Sequence, residues 1–373
     1  MAVLIAASAV RTCFGDADET YRALLASRCG AAPLRGFDTR RFHVHHGYQL
    51  PEDPADTRPF RAGRLLARCV DQVLKEAGLD PSREQVRAVV GSGLRELRSI
   101  EDGAPEAAGT AERQHFAGSL SHAVPRTLTI ANACSAGGHA LALAQDLLEL
   151  GDADAVVVGG TDEMTASMLA MIGRVTDEPA DRLRPFDTAR GGVLLGEGAA
   201  ALVVVPDRPA QRRRWPGSLA RVLATGLSCD AGHETAPDPE GITRAVHDAY
   251  QRAGRSAADT GLVVAHGTGT VLNDPVEATV LTETLPSRPV VTAVKGALGH
   301  TSGASALMSL DVAARALSAG SAPPMVGLRQ AIEEAAALRL VAGTPAACDP
   351  SGLAQVNSFG FGGVNAVTLL EAV

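Results

Sequence analysis

Aromatic side chains are scarce in this chain of 373 residues, at 3% of positions with a single Trp, so its core cannot rest on stacked rings. Positive charge is short as well: the formal net charge is −8 and no basic stripe carries interleaved aromatics, which removes any general attraction to nucleic acid or anionic lipid. Long apolar runs are missing. AVLIAASAV at the start and AALVVV at 200–205 both fall short of a membrane span. The first has no basic region before it and no cleavage site after it, so it is expected to be an opening strand and not a signal peptide. Paired cysteines are missing too. Cys13, Cys29, Cys69, Cys134, Cys229 and Cys348 include no C-x-x-C, which excludes the usual zinc frameworks and a secreted disulfide scaffold. Free thiols in a cytoplasmic protein are expected. His43, His45 and His46 in FHVHHG have no carboxylate or thiol at ligand spacing and read as a polar surface loop, so no metal site is expected.

Glycine, at 39 residues, and abundant Ala fill the gap left by bulky side chains, and they suit thin layers of helix and sheet whose backbones approach closely. Strand-like runs such as AVLIAASAV, ADAVVVGG and GLVVAHGTG alternate with helix-like stretches such as GRLLARCVDQVLKEAG and ITRAVHDAYQRAG. That alternation predicts an α/β protein with buried, largely parallel strands. The length suggests two halves, 1–210 and 211–373, joined through the Pro- and Arg-rich VVPDRPAQRRRWPGS at 204–218. Its Arg212, Arg213 and Arg214 read as a solvated face, or as a contact for an acidic partner. The halves also resemble each other. Laying CSAGGHAL (134–141) over HTSGASAL (300–307) puts Gly137 on Gly303, Ala140 on Ala306 and Leu141 on Leu307. An internal duplication of this kind predicts two helix starts beside a pseudo-twofold axis, with Cys134 facing His300.

The stretch IANACSAGGHALA sets Cys134 between an apolar run and very small residues, as a sharp strand-to-helix elbow requires. A helix N-terminus there favours the thiolate by roughly 1 kcal/mol, and unpaired N–H groups can hold an oxyanion. A buried structural cysteine fits this stretch alone almost as well. Three further stretches carry chemistry. AHGTGTVLNDPVEATVL has His266 at a strand end, with Thr268 and Thr270 placed to orient the ring and to bind a polar substrate arm. VKGALGHTSGASAL has Lys295 and His300, and QVNSFGFGGVNA has a glycine loop, Gly360 to Gly363, with Phe359 and Phe361 able to act as a gate. His122, His139, His233 and His247 read as core or surface histidines, Asp162 and Glu163 as structural, and Glu197 as ordering the core near the site.

RPFDTARGGVLLGEGAAALVV (184–204), CDAGHETAPDPEG (229–241), HGTGTVLNDPVEA, KGALGHTSGASA and NSFGFGGVNA occur in one order, and with them the chain resembles the elongating β-ketoacyl synthases of the thiolase-fold superfamily, type II polyketide ketosynthases included. The resemblance covers nearly the whole length. It implies a five-layer αβαβα fold made of two duplicated halves, the first carrying the nucleophile and the second both histidines. It implies Cys134 as the acyl-accepting nucleophile and His266 and His300 as the pair supporting decarboxylation. Lys295 would lie near the site with Glu277 as its paired acid, and Phe361 would gate it. The N–H groups of Cys134 and Phe361 would form the oxyanion hole, and Thr268, Thr270, Phe359, Gly360 and Gly362 would meet substrate. No cofactor is implied beyond the phosphopantetheine of an acyl carrier protein. PRTLTIANA is expected to pair across a subunit boundary, in a homodimer or in a heterodimer with a related synthase-like subunit. Two alternatives share the fold, a cysteine-dependent acyltransferase or cyclase and a non-catalytic partner like a chain-length factor. The intact Cys134, His266 and His300 weigh against both. The chain departs from the family pattern in its short interval between Gly93 and Cys134, which contains IEDGAPEAAGTAERQ, and in a trimmed GTDEMTASMLAMIGRVTDEPADRLRPFD. These regions shape the acyl pocket and the dimer face in the family, so part of the pocket wall is expected to come from a partner.

Overall fold

The computed structural model describes residues 1–51, 58–103, 116–175, 180–349 and 352–373, so most of IEDGAPEAAGTAERQ and part of the second trimmed region lie outside the described residues. The first half contributes β1 (Val3–Arg11), β2 (Val86–Gly91), β3 (Thr127–Ile130), β4 (Ala155–Asp162) and β5 (Gly198–Pro206). The second contributes β6 (Ala220–Cys229), β7 (Thr260–Val264), β8 (Val290–Thr292), β9 (Leu353–Gly360) and β10 (Val364–Glu371). The order in the first half is β1-β5-β4-β2-β3 and in the second β6-β10-β9-β7-β8. In each half the first two pairings are antiparallel and the last two parallel. The same topology twice over is the duplication, written in hydrogen bonds. β1 and β6 meet edge to edge through Val3↔Val222, Leu4↔Arg221 and Ile5↔Ala220, which joins the halves into one sheet of 11 strands, with a short strand at Arg339–Leu340 beyond β8.

Every residue of β4 and β5 is buried, because helices cover both faces. Their valines therefore divide by alternation. Val156 and Val158 join a cluster with Leu141 of α2 (Ala136–Glu149) and Leu307 and Leu310 of α5 (Ser305–Ala319), and that cluster also takes Val264 and Val356 from the other half. Val157 and Val203 instead face Leu66, Val70 and Val73 of α1 (Arg61–Ala77) on the outer side. The second half repeats this, with Ile242 and Val246 of α3 (Pro239–Ala253) and Leu281 of α4 (Asn273–Thr284) covering Val263, Val291 and Leu369. The result is helix, sheet, helix pair, sheet, helix: the five-layer αβαβα fold. Small residues make the middle layer thin. A Cβ on Gly137 would stand 2.6 Å from the Gly303 carbonyl oxygen, and one on Gly160 would stand 2.9 Å from the Ala304 Cα.

The duplication has a different register from the one the two octapeptides suggested. The helical turns Ala133–Ser135 and Ser302–Ala304 occupy equivalent places, each opening on a left-handed residue, Ala133 at φ 60° and Ser302 at φ 46°, and each leading directly into α2 or α5. Cys134 therefore lies on Gly303 and not on His300. Glycine spacing misled the alignment because the two glycines do different work: Gly137 makes room for the Gly303 carbonyl, and Gly303 for the backbone of Gly91 and Ser92.

A charged cluster is buried beneath α1. Arg61 donates to Glu163 at 3.3 Å and to Glu197 at 3.2 Å, while Glu96 accepts the Gly63 N–H at 2.6 Å at the start of that helix. Burial, and then the Glu163 charge, push the Glu96 carboxyl up to about 8. The folded chain thus holds a proton that the unfolded chain releases near pH 4.5, and stability should fall as pH rises from there to about 8. Glu96→Gln keeps the acceptor for Gly63 and needs no proton, so the loss of stability between pH 5.5 and 8.5 in urea titrations is expected to shrink; an unchanged loss would place the titration elsewhere.

In FHVHHG His43 and His45 are exposed and His46 half-buried, and among the described residues no group of His, Cys, Asp and Glu could hold a metal ion. Within the run Arg212 to Arg214 of the joint, Arg212 pairs with Asp207, Arg214 pairs with Glu84 and covers the Trp215 ring, and Arg213 is exposed. No helix among the described residues is long and apolar enough to cross a membrane.

Candidate active site

Cys134 stands in the turn between β3 and α2, where the left-handed Ala133 reverses the chain. The hairpin of β9 and β10 closes over this turn. Ser358 Oγ donates to the Cys134 carbonyl at 3.0 Å, and a Cβ on Gly360 would stand 3.0 Å from Ser135 Oγ and 3.1 Å from the Asn132 carbonyl. Glycine at 360 is what allows the backbone to come this near. The backbone of Phe361 and of Cys134 itself both favour the ionised sulfur, so the two expected oxyanion donors lie near the thiol. Their help and the attraction of Lys295 do not offset desolvation, and burial pushes the Cys134 thiol up to about 11, with Asp162 adding to the rise. Burial thus opposes the help that a helix N-terminus gives the thiolate.

Lys295 is 1% exposed and opens the turn Lys295–Leu298. Its Nζ donates to the His266 carbonyl and lies 3.2 Å from His266 Nδ1. Burial draws its pKa down to about 8 against the opposing pull of Glu277, Cys134 and Asp274. The expected pairing of Lys295 with Glu277 is not a direct contact. Glu277, fully buried, accepts His266 N–H at 2.7 Å, Gly267 N–H at 2.8 Å, Asn357 Nδ2 at 2.9 Å and Asn273 Nδ2 at 3.3 Å, and it reaches Lys295 by its field. A carboxylate can take four donors, and here they tie the His266 strand end to α4 and β9.

The two histidines meet edge to face, with ring centroids 5.5 Å apart and planes at 83°. His266 Nδ1 accepts the Phe359 N–H at 3.4 Å, and His300 Nδ1 accepts the Ser302 N–H at 3.3 Å. In both rings the hydrogen is then on Nε2. Burial first, and then the Lys295 charge, hold both well below the ordinary imidazole value, so both are neutral donors. His300 Nε2 is buried and has no partner among the described residues, which leaves its N–H open to an acceptor on a substrate. The first half steadies His300: its N–H bonds the Leu194 carbonyl, and Gly196 N–H bonds its own carbonyl.

Thr268 and Thr270 share a hydrogen bond of 2.9 Å, with Thr268 buried and Thr270 half-buried. Phe359 packs its ring 5.4 Å from His266. Phe361 is 45% exposed, at the tip of a loop that only glycine can make, with Gly362 at φ 83° and Gly363 at φ 74°. The loop is clasped by 229–238: Gly362 N–H donates to the Glu234 carbonyl and Asp230 N–H to the Gly363 carbonyl, each at 2.8 Å. Asp162 does more than fill the core. It accepts Ser92 Oγ, Gly93 N–H, Leu94 N–H and Gly303 N–H within 2.8 Å, tying the two halves together beside Cys134. Asn273, Asp274 and Asn357 went unnoticed in the sequence, although each lies inside a motif already singled out. Their polarity at positions destined for burial was the available signal.

The β-ketoacyl synthase N-terminal domain model matches residues 2–210, and the C-terminal domain model matches 219–329. The 3-oxoacyl-[acyl-carrier-protein] synthase 2 of Rhizobium meliloti is 32% identical over 359 residues, covering 86% of this chain and 82% of that protein. The protein of the same name from Coxiella burnetii is 28% identical, covering 95% of this chain and 94% of that protein. Among solved structures, the ishigamide ketosynthase/chain length factor superposes with a TM-score of 0.90 at 29% identity, covering 100% of this chain and 99% of that one. A β-ketoacyl synthase from Burkholderia phymatum shares the fold at a TM-score of 0.86 and 24% identity, covering 100% of this chain and 99% of that one.

Proposed function

The chain belongs to the β-ketoacyl synthase family, and from that premise we propose that it is a condensing acyltransferase, joining an acyl group on Cys134 to a malonyl-type unit carried by an acyl carrier protein, in polyketide or specialised fatty-acid synthesis. One observation carries the reading: a thiol with backbone donors at its sulfur shares a buried site with two neutral histidines, one of them with an unused Nε2–H.

Cys134 sulfur attacks the carbonyl carbon of the incoming thioester, the Cys134 and Phe361 N–H groups hold the oxyanion, and the carrier thiol leaves with the proton that Cys134 gives up. The malonyl thioester then loses CO₂, and the electron pair of the broken bond moves into an enolate whose oxygen faces Nε2–H of His266 and His300. The enolate carbon attacks the acyl-cysteine, and the Cys134 thiolate departs toward the charge of Lys295. Thr268 and Thr270 are placed to hold the polar arm of phosphopantetheine, and Phe361 with Gly360 and Gly362 to admit it. The scheme asks for no metal or further cofactor. The alternatives without decarboxylation leave both Nε2–H groups with no role. Intact-mass measurement with acyl-carrier and then malonyl-carrier protein should show an acyl adduct followed by the extended product on the carrier; an adduct with no extension would favour the acyltransferase reading.

Assembly follows from the edge of the sheet. β3 is the last strand of the first half among the described residues and leaves Leu128 48% exposed, an apolar sheet edge suited to a partner strand. A dimer through β3 is expected in light scattering, and an active, stable monomer would refute it. Likeness to a ketosynthase/chain length factor supports a related synthase-like subunit as the partner. Condensation only on co-expression with such a subunit would decide for the heterodimer. The six free thiols suit a reducing compartment, and we place the reaction in the cytoplasm.

A further inference from the structure

A file of buried polar side chains runs from the outer helix layer to the candidate site, and the functional scheme makes no use of its far end. Tyr250, on α3, donates its hydroxyl to Gln355 Oε1 at 2.9 Å; Gln355 Nε2 donates to Asn357 Oδ1 at 2.8 Å; Asn357 Nδ2 donates to Glu277 Oε1 at 2.9 Å. Gln355 and Glu277 are fully buried, Asn357 is 2% exposed and Tyr250 6%.

The direction of this file is forced. An ionised carboxylate only accepts, so Asn357 must present its NH₂ to Glu277 and its carbonyl to Gln355. Gln355 must then present its own NH₂ to Asn357 and its carbonyl to Tyr250, which leaves Tyr250 as donor. Thr260 Oγ1, the other neighbour of the Tyr250 hydroxyl, is free to donate to it. No member can flip without leaving a buried group unpaired, and aligned donors polarise one another toward the carboxylate. Glu277 is in turn the group that holds the His266 and Gly267 N–H groups and sets the field at Lys295.

We infer that Tyr250 and Gln355 are positioning residues, acting through Asn357 to hold Glu277 as the oriented anion that keeps Lys295 charged and His266 in place beside Cys134. Their role in condensation rests on the function proposed above, whereas their effect on the thiol does not. Lys295 feels Glu277, Asp274 and Cys134, and its charge in turn favours the Cys134 thiolate. A weakened Glu277 makes Lys295 give up its proton more readily and the thiol less readily.

Iodoacetamide alkylation of Cys134, followed by peptide mass from pH 7 to 10 in the full-length chain, reads this directly. Tyr250→Phe, which keeps the ring, and Gln355→Leu, which removes both bonds, are each expected to slow alkylation at pH 8 by about threefold or more, equivalent to half a pH unit. A merely structural role would lower the melting temperature and leave the pH profile where it is. Profiles superimposed on the parent would overturn the inference. Malonyl-carrier decarboxylation by the parent is measured alongside: if the parent decarboxylates, the variants should be slower; if it does not, the proposed function fails, and the alkylation profiles still decide the role of the relay.

Discussion

Cys134→Ala is expected to abolish acyl transfer from carrier to protein and to lower condensation by at least about 10⁴-fold, because no other group offers a nucleophile between two oxyanion donors. The other thiols sit in settings without this geometry. Cys13 is pushed up to about 12 by burial, and Cys29 and Cys348 face backbone carbonyls. Cys229 is the instructive control, since it is exposed and sits beside the glycine loop, facing the Gly362 carbonyl. Intact mass and peptide mapping check the prediction. An acyl group on Cys229, or full labelling of the Ala variant, would remove Cys134 from its role. The raised thiol pKa adds a second expectation. Acylation should accelerate as pH rises toward neutrality and above, since more thiolate forms, until Lys295 loses its proton near pH 8 and the curve flattens.

His266→Ala and His300→Ala are each expected to slow malonyl decarboxylation by about 10² to 10³-fold, the usual loss when one donor to a developing oxyanion is removed. Self-acylation should fall far less, because its oxyanion is held by backbone groups. The His300 variant is the cleaner test. Its Nε2 has no partner among the described residues and its backbone is anchored through Leu194 and Gly196, so removing the side chain gives up only the bond that Ser302 N–H donates to Nδ1. His266 also receives the Phe359 N–H, so its removal should cost some stability as well. Timing the two half-reactions separately distinguishes the roles. Equal losses in both would mean that the histidines serve the thiol or the fold, not the enolate.

Much of this was legible in the chain itself. Very small residues after Cys134 can make only a tight turn and a helix that packs closely, so the elbow was readable from local sterics. Alternating apolar runs dictated buried strands with helices on both faces, and the repeated order of strands and helices carried the two halves. The stretches that carry His266, Lys295, His300 and Phe361 stood out in the sequence, and the family resemblance gave each its expected role. What tertiary structure decided were quantities that depend on groups distant in sequence. The register of the duplication, with Cys134 on Gly303, follows from how two helix starts cross, and glycine spacing is blind to that. The protonated nitrogen of His266 depends on the N–H of Phe359, 93 residues away. The thiol's resistance to ionisation, and the use of Glu277 to hold backbone donors instead of touching Lys295, depend on how much water the fold excludes and on which donors reach the carboxylate first. Desolvation and hydrogen-bond competition belong to the packed chain as a whole, and a local stretch of sequence, still surrounded by water, does not contain them.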